Sequence, residues 1–163
     1  MQASELSARL VRERMAKVEA ITPALEAIRQ VVAMALPVTP ERRSYWKIWV
    51  GFWERSSYDA DVARTMRDRY QEWRERLSRL LKRAQDEGDV APGVDVHQAA
   101  SALMALVDGI GVGVLLGVQR IPPERQRAMF NRWLDTVRAG PVGEAARTRK
   151  AATPAPARRR RAG

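Results

Sequence analysis

Proline and glycine cut this chain into segments, and within each segment apolar residues return in steps of three and four. The breaks fall at Thr22-Pro23, Pro37, Thr39-Pro40, Gly88, Pro92-Gly93, Pro122-Pro123 and Gly140. Steps of three and four keep one face of an α-helix apolar, whereas a strand needs alternation, and no alternating run is present. The pattern predicts an all-α protein, a bundle of about six helices.

The first helix, near Ser4 to Ala20, places Leu6, Leu10, Met15 and Val18 on one side. Thr22 as cap with Pro23 in the first turn starts a second, whose apolar face is Leu25, Ile28, Val32 and Leu36. Thr39-Pro40 repeats that signal for a third. Asp59 caps the fourth, where Val62, Met66, Tyr70, Trp73, Leu77, Leu80 and Ala84 recur without interruption to Glu87. At the helical rise this segment is about 42 Å long. Asp95 with Gln98 three residues on opens the fifth, Val96 to Gly117. The sixth follows "IPPERQ", with Met129, Phe130, Trp133, Leu134 and Val137 on one side and Gly140 as its stop.

The net charge of +10 suggests nucleic acid, but its distribution argues otherwise. Residues 144–163 carry seven basic and one acidic side chain, which leaves only +4 on the first 143. This divides the chain into a domain over 1–140 and a basic Pro/Ala/Arg-rich tail, expected to be disordered, over 141–163. The tail reads as a solvated segment or as a sequence-blind grip on phosphates through Arg158 to Arg161. There is no cysteine, so disulfides and thiolate chemistry are excluded. The first twenty residues hold no unbroken apolar run, and the expected compartment is the cytoplasm. The fifth helix is long enough to span a bilayer, but Asp108 at its middle costs about 2.5–3.5 kcal/mol there. A helix packed in a water-soluble bundle is the expectation, with no membrane partner.

Five of the ten aromatic residues lie in "YWKIWVGFW", residues 45–53. On a helix Tyr45, Trp46, Trp49, Val50, Phe52 and Trp53 share one broad face, which predicts a buried stripe. So bulky a stripe also leaves an irregular gap. Trp46, Trp49, Phe52 and Trp53 on one side, with Met66, Tyr70, Trp73 and Met104 on the other, are candidates to line an apolar pocket. A base-stacking platform fits less well, since stacking rings need exposure along a basic groove. Asp108 is the one carboxylate in the apolar fifth helix. Either it fixes helix packing through a partner, or it recognises a cationic ligand among the aromatic rings.

Ser101, Ala105, Gly109, Gly113 and Gly117 recur every four residues along the same helix. Such a ridge admits a close helix–helix crossing, within the subunit or across a homodimer. His97, the one histidine, fits a solvated helix start. No metal set, cofactor loop or nucleophile–base pair stands out, so neither a cofactor nor an enzymatic activity is expected.

Four segments in order, "ERRSYWKIWVGFWERSS", "YQEWRERLSRLLKRAQDEGDV", "DVHQAASALMALVDGIGVGVLLG" and "RAMFNRWLD", resemble the C-terminal regulatory domain of TetR-type transcriptional regulators, most closely the BetI-like branch. The resemblance implies a domain that binds a small effector within its core and dimerises through its last two long helices. Added to the ridge, it makes Phe130, Trp133, Leu134 and Val137 interface candidates beside the five small residues. It also implies a helix-turn-helix head, of which no motif is present before Thr22. The expectation is an effector-sensing, homodimeric domain, of a repressor, whose operator contact lies outside this sequence. The alternative is a head-less interaction module that pairs with related regulators.

Overall fold

The computed structural model describes residues 13–118 and 120–140. The predicted charged tail and the predicted apolar positions Leu6 and Leu10 lie outside the described residues. All regular structure in the described residues is helical: α1 (13–19), α2 (Ala24–Ala35), α3 (Pro40–Ser56), α4 (Ala60–Asp86), α5 (Val96–Leu115) and α6 (Pro123–Ala139).

Local chemistry sets three of the starts where the sequence predicts them. Thr39 accepts a hydrogen bond from the Arg42 N–H, Asp59 from Asp61 and Val62, and Asp95 from His97 and Gln98. Each side-chain oxygen takes up one or two of the N–H groups that a helix start leaves unpaired. The start of α2 differs from expectation. Thr22 makes no cap, and the Ala24 N–H is instead received at 2.7 Å by the Glu87 carboxylate, just beyond the far end of α4. Gly117 also departs from the predicted ridge. α5 stops at Leu115, and Gly117 takes φ +65, a left-handed conformation that terminates the helix.

α4 is the central strut: α2, α3 and α5 all pack on it, α3 leans on α5 as well, and α6 closes the other side of α5. The core runs between them through Ile28, Val31, Leu81, Leu103, Ile110 and Leu134, each almost fully shielded from water. Among the described residues α5 is the one helix long and apolar enough to cross a membrane. Here it spends Ala99, Ala100, Leu103, Ile110, Gly111 and Gly113 on contacts inside the fold.

The aromatic helix departs most from its sequence reading. Of the predicted buried stripe only Trp46 is buried, at 7% exposure; Trp49, Val50 and Trp53 are half-buried, and Tyr45 and Phe52 stand 72% and 45% exposed. An amphipathic period shows which residues share a face but not how much of it a neighbour covers. α3 packs on α4 and α5 through part of that face and leaves Tyr45 and Phe52 open. That open face is a cavity wall.

Candidate functional site

A cavity of about 440 Å³ lies between α2, α3, α4 and α5. α2 contributes Val31, Val32, Met34 and Ala35; α3 contributes Arg42, Tyr45, Trp46, Ile48, Trp49 and Phe52. α4 adds Arg69, Tyr70, Trp73 and Leu77, and α5 adds Leu103, Met104, Val107 and Asp108. Volume and lining suit a small organic molecule, since such sites are concave, mostly apolar and fitted with a few polar groups.

Trp46 anchors the α3 wall from two sides. Its Nε1–H donates to the Ala35 carbonyl at 2.9 Å. Ala35 is the last residue of α2, where carbonyls have no partner within the helix, so the indole satisfies an otherwise orphan acceptor. The ring lies flat against α5 at Gly111, where an added Cβ would fall 2.3 Å from the ring carbon Cη2. Only a residue without a side chain permits this approach.

The polar group is a pair. The Tyr70 hydroxyl donates to Asp108 Oδ2 at 2.9 Å. Trp49 stacks on the Tyr70 ring, with centroids 6.1 Å apart and planes at 28°, which fixes the direction of the phenol. Burial raises the Asp108 carboxyl above the usual range, and the Tyr70 hydrogen bond only partly opposes it. Burial, the neighbouring Asp108 charge and that hydrogen bond push the Tyr70 phenol up to about 12, so it stays a proton donor. No ion pair among the described residues involves Asp108. Two cations do line the same cavity, but Arg42 donates to the Ala33 carbonyl and Arg69 has no acidic partner among the described residues. The arrangement presents a desolvated carboxylate beside aromatic faces, a combination that favours a positively charged guest.

Seven of the nine pocket candidates from sequence meet at this cavity: Trp46, Trp49, Phe52, Tyr70, Trp73, Met104 and Asp108. Trp53 and Met66 do not line it. Trp53 stands behind Trp46, edge-on at 6.2 Å, and Met66 is buried in α4. Sequence reasoning missed the α2 wall and the two arginines. The adjacent pair Val31-Val32 points to an unusually wide apolar face on α2, but nothing local says that the excess faces a cavity.

The interface candidates divide. Ser101, Ala105, Gly109 and Gly117 are exposed and Trp133 is half-buried, whereas Phe130, Leu134, Val137 and Gly113 are buried within the chain. The fold itself claims Phe130, Leu134 and Val137, because α6 turns that stripe inward onto α5 and the core, and Gly113 is buried on α5. His97 is exposed, with its backbone N–H on the Asp95 cap. No group of acidic or histidine side chains among the described residues is placed to hold a metal ion.

The family described as BetI-type transcriptional repressor, C-terminal, matches residues 24–139. A similar solved structure is that of a transcriptional regulator from Saccharomonospora viridis in complex with choline. It is 24% identical, covers 82% of this chain and 70% of the other, and has a TM-score of 0.73. That likeness shows a shared fold. No curated protein matches the chain.

Proposed function

Since this chain belongs, through its C-terminal regulatory domain, to the BetI-type transcriptional repressors of the TetR family, a family without enzymatic activity, we propose that its cavity binds a small organic cation as effector. One observation carries this reading: a carboxylate without a cationic partner, Asp108, held by Tyr70 beside the Trp49 ring. A cation placed there gains the charge of Asp108 and the negative faces of the rings, each worth more once water is excluded. The choline found in the Saccharomonospora viridis regulator supports the same class of ligand.

In this reading the domain is cytoplasmic and works as a homodimer. Its exposed α5 face carries Ser101, Ala105 and Gly109, small residues that let a second helix come close. Effector occupancy shifts the packing of α3, α4 and α5 and thereby relieves repression by a helix-turn-helix carried outside the residues described. Such control requires different effector affinities in the DNA-bound and free states.

Titration calorimetry with choline on the wild type and on Asp108→Asn tests the ligand class. Asp108→Asn keeps the shape and the Tyr70 partner but removes the charge, so choline affinity should fall at least tenfold. Equal affinity in the two proteins rejects the cationic reading.

A further inference from the structure

The cavity is much larger than its polar group requires. Among the described residues that line it, Tyr70 and Asp108 are hydrogen-bonded to each other, and apart from Arg42 and Arg69 most of the remaining lining is apolar, Leu77 and Leu103 included. A volume of about 440 Å³ falls in the range that encloses drug-sized ligands, well beyond what one compact ammonium group fills. The rim adds a second observation. Ile48 of α3 lines the cavity yet is 59% exposed, and Phe52, one turn further on, shares both properties. Apolar side chains gathered at a mouth in contact with water mark a surface that an apolar guest covers.

We infer that the effector is an amphiphilic cation: a quaternary or tertiary ammonium head at Asp108, carrying an apolar body that fills the remaining cavity and covers Ile48 and Phe52. This rests on the cationic reading above and specifies the ligand further. Charge complementarity fixes the position of the head, because the positive Arg42 and Arg69 also border the cavity and repel it elsewhere. The body contributes through burial of methylenes against the apolar part of the lining, a gain that grows with chain length.

Calorimetry on the full chain with tetramethylammonium and with hexyl-, octyl- and decyltrimethylammonium, all kept below micelle-forming concentrations, reads this directly. Affinity should rise about fourfold per added methylene. 1-Octanol and octyl sulfate should bind at least tenfold more weakly than octyltrimethylammonium. Phe52→Ala and Ile48→Ala, both at exposed positions of the cavity rim, should flatten the chain-length dependence, weakening decyltrimethylammonium more than tetramethylammonium. A flat series overturns the amphiphile and leaves the cation standing if Asp108→Asn still weakens tetramethylammonium. Octanol binding as tightly as octyltrimethylammonium overturns the role of charge. Absence of binding across the series overturns both readings.

Discussion

Gly111→Ala adds a single methyl group at the point where α3 and α5 touch. The new carbon would lie 2.3–2.4 Å from three atoms of the Trp46 ring, whereas carbon atoms in contact sit about 3.5–4.0 Å apart. Trp46 cannot yield at a flexible tip, because its ring is buried and its Nε1–H is committed to Ala35. Either α3 lifts away from α5, or the indole swings out, loses a hydrogen bond worth about 1 kcal/mol and intrudes on the cavity. Overpacking of this kind costs about 1–3 kcal/mol, set against a gain of about 1 kcal/mol from replacing glycine inside a helix. A net loss of up to about 2 kcal/mol follows, or a melting temperature lower by several degrees in a chain of this size. Gly51→Ala is the control: on α3, with nothing within 4 Å of its added Cβ, it should melt higher. Thermal denaturation of both variants, with choline titration followed by tryptophan fluorescence, reads the two effects. Trp46→Ala combined with Gly111→Ala should recover part of the stability that Gly111→Ala loses relative to Trp46→Ala alone, a coupling of about 1 kcal/mol or more. If Gly111→Ala is as stable as Gly51→Ala and binds choline normally, the proposed seat is wrong.

Other outcomes follow from single contacts. Acidification through the raised titration range of Asp108 neutralises it, so affinity for a quaternary ammonium should fall as pH drops, beginning above the range of an ordinary aspartate. The stability contribution has the opposite sign. The folded state holds that proton more tightly, so the contribution is present at low pH and is lost as pH rises through the raised value; calorimetric binding and melting curves against pH separate the two. Glu87→Ala leaves the Ala24 N–H without its acceptor and should cost about 1 kcal/mol by thermal denaturation. Ala105→Arg places a charge on the exposed face of α5 and should yield monomers in light scattering without loss of helix; an unchanged mass rejects that face as the seam.

Much of the helix plan was legible because its signals are local. Thr39, Asp59 and Asp95 cap N–H groups two or three residues away, within reach of any sequence window. The cap on α2 was not legible, because Glu87 is 63 residues from Ala24 and only the docking of α2 on α4 brings them together. The small residues of α5 show the same limit. The four-residue row singles out Ala105, Gly109 and Gly113, yet the documented close approach to α3 is at Gly111, off that row. Composition shows that this helix tolerates close neighbours; which side receives one depends on where α3 lies. Asp108 stands out in sequence as a charge in an apolar run, but its partner Tyr70 is 38 positions away.

The length of α4 has a mechanical consequence. Tyr70 stands at the cavity, while further along the same rod Arg76 holds the Glu19 carboxylate at 2.9 Å, Arg83 holds the Glu19 carbonyl at 2.7 Å, and Glu87 beyond its end holds Ala24. The 27-residue helix is therefore bolted at one end to the joint between α1 and α2 and faces the cavity near its middle. From Tyr70 to Arg83 is about 20 Å at the helical rise, so a tilt of roughly 5° at the cavity displaces the joint by about 2 Å. A stiff lever with a clamped far end cannot absorb that motion locally. Whatever is joined to α1 must move with it.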